Sequence, residues 1–306
     1  MPNQETECNQ QLDELYREIR NFEAIAAHLI PSPGDIPELD GIDIYGKTIP
    51  LNGLVGGDHI IYLDFKKRFN LDRRIEKARS EGLEEVARNL AGLRRKAGIA
   101  ISDVSGHLIT DGLLGLMLHQ AFLLGARYEL DFFGELGTRL FENLNARFFR
   151  SSAVHKYLTL LYGEISNDGN FRFISAAHPP PVVFSRENDQ IVEISPDLLT
   201  TYPPIGMLPS IEDIDYQLEE SVLPFKDQYT VNEISLMGSG DILLLYTDGL
   251  SEHSDGKNEY FPHRMELQLR RVKDLSAREI FDAIENDAKS FSPLQDDLSF
   301  VIIKRL

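Results

Sequence analysis

The stretch Gly240–Glu252, GDILLLYTDGLSE, constrains the fold more than any other part of the chain. Ile242 to Tyr246 is an unbroken apolar run, long enough for a buried strand and too short for a helix. It stops at Thr247-Asp248-Gly249. A carboxylate at the end of a buried strand, with glycine behind it to permit a tight turn, is a rigidly held oxygen ligand. Taken alone, Asp-Gly reads equally well as an ordinary turn, because turns favour both residues. The choice rests on whether acidic strand ends recur elsewhere.

They do recur. Asp58 follows Gly56-Gly57 and precedes HIIYLDF, Asp103 ends IAIS, and Asp296-Asp297 precedes LSFVIIK. Together with Asp248 these make four acidic sites at strand edges, more than turn statistics usually produce. In a sandwich several strand ends converge on one rim, so the carboxylates could share a site. Oxygen donors without a cysteine cage or a histidine cluster favour Mg²⁺ or Mn²⁺ over zinc. Clustered carboxylates repel one another unless cations hold them. Two bridged ions would lower the pKa of a shared water for in-line attack on phosphorus and stabilise charge on the phosphoryl oxygens. The residues read as a hydrolase that uses oxygen-bound metals, on a phosphoester.

Around these sites the apolar pattern predicts many antiparallel strand pairs. Expected strands are 41–48, 59–65, 99–104, 157–165, 171–176, 182–184, 191–194, 242–246 and 298–304, with NDGN at 167–170 as a hairpin turn. Leu12, Leu15, Ile19, Phe22, Ile25, Ala26 and Leu29 predict a helix over 9–30, ended by Pro31 and Pro33. Two central helices are expected over about 111–130 and 131–149, the Leu113–Leu124 stripe being core. Residues 195–239 read as irregular, and Ser276 with Glu279 marks a capping box opening a helix to about Ser290. The class is α+β, a sheet-on-sheet core flanked by helices.

Composition narrows the function. The net charge of −18 argues against a nucleic-acid partner. The charge is uneven, since residues 66–98 carry eleven Lys/Arg against five Asp/Glu. This basic stretch, helical by its periodicity with a break at Gly82, is either a docking surface or a solvated helical hairpin. No apolar run reaches the length of a membrane span. The N-terminus lacks the pattern of a secretion signal, and Cys8 is the only cysteine. A cytoplasmic protein is the simplest expectation.

The motifs LVGGD (54–58), ISDVSGH (101–107), LTLLYGEI with AAHPPPVVF (158–184), PPIGM (203–207), GDILLLYTDGLSE and DDLSFVIIK (296–304) occur in one order. In this the sequence resembles the metal-dependent, protein phosphatase 2C-like superfamily, within the bacterial branch that includes the phosphatases SpoIIE and RsbU. The resemblance implies a four-layer α-β-β-α sandwich over 31–306, preceded by a helical extension at 1–30. It implies that Asp58, Asp103, Asp248 and Asp296 bind two or more Mn²⁺ or Mg²⁺ ions. Val104 would offer its backbone carbonyl, Gly249 would permit close approach, and Asp297 would be secondary. The implied reaction is dephosphorylation of phosphoserine or phosphothreonine by metal-activated water, with no catalytic side-chain nucleophile. The implied substrate is a small anti-sigma-factor antagonist in a partner-switching pathway.

Further expectations are a regulatory protein at the N-terminal helix or the basic insertion, and a homodimer. A non-catalytic scaffold of the same fold and a small-molecule phosphohydrolase are the competing functions. The chain departs from the family pattern at Ile61, where many relatives carry a second aspartate, and at Leu108 and Ala177. Asp64 lies too far along to replace the missing acid. His107 and His178 read as packing or turn residues rather than general acids.

Overall fold

The computed structural model describes residues 2–27, 31, 33–53, 56–105, 109–151, 157–192, 194–211, 224–235 and 238–306. Its elements in chain order begin with α1 (Pro2–Ala27), β1 (Ile42–Ile49), β2 (His59–Leu63), α2 (Phe65–Arg68), α3 (Leu71–Ser80), α4 (Glu84–Gly92) and β3 (Lys96–Val104). The central part comprises α5 (Ile109–Phe132), α6 (Thr138–Ser151), β4 (Leu158–Ser166), β5 (Phe171–Ala176), β6 (Val182–Ser185), β7 (Gln190–Val192) and β8 (Asn232–Ile234). It closes with β9 (Ile242–Tyr246), α7 (Asp248–Ser251), α8 (His263–Val272), α9 (Ala277–Phe291) and β10 (Leu298–Arg305).

The strands form two five-stranded sheets, ordered β1-β10-β9-β6-β7 and β2-β3-β4-β5-β8. All the pairings within them are antiparallel. Side chains on a strand alternate between its two faces, and that alternation builds the layers. In β2, Ile60 and Tyr62 enter the apolar layer between the sheets, while Ile61 and Leu63 face the core under α3, α4, α5 and α6. In β10, Val301 and Ile303 point between the sheets, while Phe300 and Ile302 pack on α8 and α9. The result is a four-layer α-β-β-α sandwich in which central strands are apolar on both faces. That is why β9 reads as an unbroken apolar run.

The elements follow the sequence pattern with instructive shifts. The β4–β5 hairpin and the β6–β7 pair form as expected, as does the capping box at Ser276 and Glu279. The basic insertion is three short helices rather than two, and β3 already begins at Lys96. The first central helix runs on to Phe132 and the second begins only at Thr138, because Gly134 and Gly137 fall where helix propensity has to carry the chain. In the Leu113–Leu124 stripe, Leu116, Leu118 and Phe122 are buried, but Leu113, Met117 and Leu124 are exposed. The helix expected at 9–30 starts earlier, at Pro2, and its last three residues lie outside the described ones. No described helix is long and apolar enough to cross a membrane.

The outer helical layer is fastened to its sheet by aromatic stacking. Phe300 and Phe281 are both fully buried, with ring centroids 4.0 Å apart and planes inclined by 16°. Phe300→Ala is expected to cost about 3–5 kcal/mol through lost burial plus a cavity. Urea unfolding should show a lower midpoint with an unchanged slope. A cost below about 1 kcal/mol would mean the layer collapses onto the gap.

Candidate functional site

Asp58 and Asp103 occupy inward-facing positions, as their neighbours Ile60 and Ile101 do in the layer between the sheets. Asp58 leads into β2, and Asp103 stands next to the end of β3. Both belong to one sheet, while Asp248 opens α7 directly after β9 of the other and Asp296 precedes β10 there. Carboxylates from both sheets therefore meet at one rim of the sandwich.

Hydrogen bonds fix this rim. The Asp297 carboxylate, 3% exposed, accepts from the backbone N–H of Gly57 at 2.6 Å and of Leu51 at 2.6 Å. It thereby ties the loop before β2 to the start of β10. The Thr247 hydroxyl donates to Asp58 Oδ2 at 2.7 Å, and the Thr247 N–H donates to the Ser299 carbonyl. Two glycines make room for these ties. A Cβ at Gly56 would lie 2.0 Å from Asp297 Oδ2, and one at Gly249 would lie 1.9 Å from the Asp297 carbonyl oxygen. No side chain fits at either position.

The electrostatics are those of crowded like charges. Burial and then Asp103 push the Asp58 carboxyl well above its ordinary value, against the stabilising Thr247 bond. Asp103 is pushed up to about 7, first by burial and then by Asp248, Asp296, Asp297 and Glu252. Asp248 is raised by burial, then by Asp296 and Glu252. The charged groups that act most strongly on these three are all carboxylates. This donor set suits a hard divalent cation in chemistry. In geometry the ring is open, since no three acidic, histidine or cysteine side chains among the described residues already enclose a common point.

Other expected positions sort differently. Val104 is the last residue of β3, its side chain buried in the helix-side core. Ile61 lies in that same core, facing away from the rim, so an acid at that position would not reach Asp58. Asp64 caps α2, accepting from the N–H groups of Lys66 and Lys67 at 3.1 and 3.0 Å. His107 and Leu108 lie outside the described residues. Ala177 adopts a left-handed φ of 52° in the turn before His178.

His178 is buried, with Nδ1 2.8 Å from the Thr159 hydroxyl. Burial lowers its pKa to about 3, so at neutral pH the ring is uncharged.

Sequence reasoning missed three contributors. Glu252 follows Asp248 by one helical turn and adds its charge to the cluster; the i, i+4 spacing was the available signal. Thr247 carries no local signal of its role, because its partner Asp58 is remote in sequence. The third is an imidazole pair. His59, next to Asp58, places Nε2 2.6 Å from Nδ1 of His119 on α5. Burial lowers both, to about 3 and about 4, so both rings are neutral, and the N–H of one donates to the bare nitrogen of the other, fastening α5 to β2.

Two outcomes are expected. Asp103→Asn removes a repelled carboxylate, so the metal-free protein should gain a few degrees in Tm and lose much of the further rise that Mn²⁺ or Mg²⁺ gives the parent; an unchanged Tm and an unchanged metal response would contradict the clustering. For His178 the folded pKa lies below the ordinary 6.5. The stability this neutral ring contributes is therefore present above about pH 6.5 and lost as pH falls toward 3. His178→Gln should flatten the fall of Tm between about pH 6.5 and 4.

The fold has counterparts among known proteins. The chain is similar in structure to the SiaA-PP2C domain of Pseudomonas aeruginosa, with TM-score 0.62 and 13% identity over 96% of this chain and 98% of that one. It is similar to the PP2C phosphatase domain of SpoIIE with a regulatory fragment from Bacillus subtilis, with TM-score 0.58 and 16% identity over 87% of this chain and 64% of that one. The RsbU and RsbW domains of Rv1364c from Mycobacterium tuberculosis give TM-score 0.58 and 18% identity over 88% of this chain and 61% of that one. At these identities the likeness is one of fold. The Protein IcfG of Synechocystis sp. is 24% identical over 132 residues, 43% of this chain and only 17% of that protein's length. The model of the stage II sporulation protein E (SpoIIE) family matches residues 94–306, and the chain belongs to that family.

Proposed function

We propose that this chain is a metal-dependent phosphoprotein phosphatase acting on phosphoserine or phosphothreonine. The observation that carries the reading is the convergence of Asp58, Asp103 and Asp248 at one rim, each held above its ordinary pKa by burial and by neighbouring carboxylates. Asp58, Asp103, Asp248 and Asp296 are the side chains that would hold Mn²⁺ or Mg²⁺, with the Val104 carbonyl as a further donor. Bound divalent ions supply Lewis acidity and lower the pKa of water. The protein's own share is positioning. Thr247 orients the Asp58 carboxylate from the opposite sheet. Asp297 fixes the backbone that leads into Asp58. His59 and His119 hold α5 against the same strand.

Family membership supports the finer reading that the substrate is a small anti-sigma-factor antagonist in a partner-switching pathway. The test is hydrolysis of an aryl phosphate and of a phosphoserine peptide, with and without Mn²⁺ or Mg²⁺. Turnover should require the ion, and Asp248→Asn should lower it by about 100-fold or more. Absence of stimulation by either ion would favour a non-catalytic scaffold. Comparable turnover of metabolite phosphates with none on the phosphopeptide would favour a small-molecule phosphohydrolase.

A further inference from the structure

We propose that the basic helical insertion is a docking surface for an acidic protein, separate from the carboxylate rim. The insertion leaves β2 at the end opposite Asp58, about 20 Å away at the rise of an extended strand. A partner seated there would leave the rim open.

Two adjoining clefts of about 510 and 500 Å³ flank Phe69 and Asn70. The first is bordered by Arg68, Arg73, Arg74, Lys77 and Arg127, the last of these from α5. Some of the patch's cations are already neutralised internally, Lys67 by Glu38, Arg74 by Asp131 and Arg94 by Asp72. Lys66, Arg68, Arg73 and Arg127 are exposed and make no ion pair among the described residues. An exposed cation with no local partner is the group that gains most from an incoming carboxylate.

The surroundings specify the partner further. On α5, Arg127 stands among exposed apolar side chains, Leu124 at 70%, Tyr128 at 63% and Phe132 at 55% exposure. Tyr128 and Phe132 lie ring to ring, centroids 4.6 Å apart. An aromatic and aliphatic ridge beside a guanidinium cleft has the make-up of a protein interface. A concave cleft admits protruding carboxylate side chains, whereas a planar bilayer cannot enter it. The net charge of −18 repels a polyphosphate at long range. The same imbalance confines an acidic partner to this one region, because the rest of the chain repels it at long range.

The experiment measures binding directly, so it succeeds or fails independently of hydrolysis. The probe is a fluorescein-labelled, Glu-rich amphipathic peptide carrying Leu and Phe, followed by anisotropy with the whole chain. Binding should weaken as salt rises from about 50 to 200 mM. The variant Arg68→Gln/Arg73→Gln/Arg127→Gln should bind about tenfold or more weakly. The control Lys257→Gln/Arg271→Gln/Lys289→Gln carries the same charge change on exposed positions that border neither cleft and should stay within about twofold. Equal losses in both variants, or no binding at low salt, would overturn the proposal. So would tighter binding of a short DNA duplex or of phosphatidylserine vesicles than of the peptide.

Discussion

The rim of this sandwich depends on one buried carboxylate whose oxygens are bonded to backbone N–H groups. Asp297 reaches from the start of β10 to the backbone N–H groups of Gly57 and Leu51. It thus joins the lead-in of one sheet to the edge strand of the other. The apolar layer between the sheets pulls them together without direction; it cannot by itself fix where the strand ends stand relative to one another. Directional bonds do that, and burying a carboxylate is tolerable only because its oxygens are occupied. Thr247 repeats the arrangement in the opposite sense, with a hydroxyl from β9's end bonding Asp58 across the gap.

Once the rim is fixed, the remaining carboxylates have no way to separate. Burial first, and then Asp248, Asp296, Asp297 and Glu252, push the Asp103 carboxyl up to about 7. Stored electrostatic cost of this kind is characteristic of sites arranged to bind charge. The neutral histidines around it have a different physical origin. His59, His119 and His178 are uncharged because they are buried, and they serve as struts between elements. Ile61 belongs with the struts: its position faces the helix-side core, so the acid seen there in many relatives has no counterpart at this rim.

The insertion between β2 and β3 shows how a fold tolerates an addition. The two strands still pair residue for residue, from His59 with Ser102 to Leu63 with Gly98. Asp64 turns the chain out of the sheet by capping α2, and Leu71, Ile75, Val86 and Leu90 bury the new helices against the existing core. The added charge stays on the outside, where it gives an acidic protein one basic face.

Nine of the ten strands, the α+β class and the acidic strand ends were legible in the sequence, because these follow from local rules of period, propensity and turn chemistry; the three-residue edge strand β8 (Asn232–Ile234), in a stretch read as irregular, was too short to show a period. Residues 242–246 could be buried only as a strand, and Ser276 with Glu279 could be read only as a helix start. What it left open were distances between residues far apart in the chain. That Asp58 and Thr247 share a hydrogen bond across 189 positions, that Asp297 bonds the backbone of Leu51 and Gly57, and that His59 meets His119 are results of how the sheets and helices pack. Periodicity tells which face of a strand is apolar; only packing tells which strand ends arrive at the same rim.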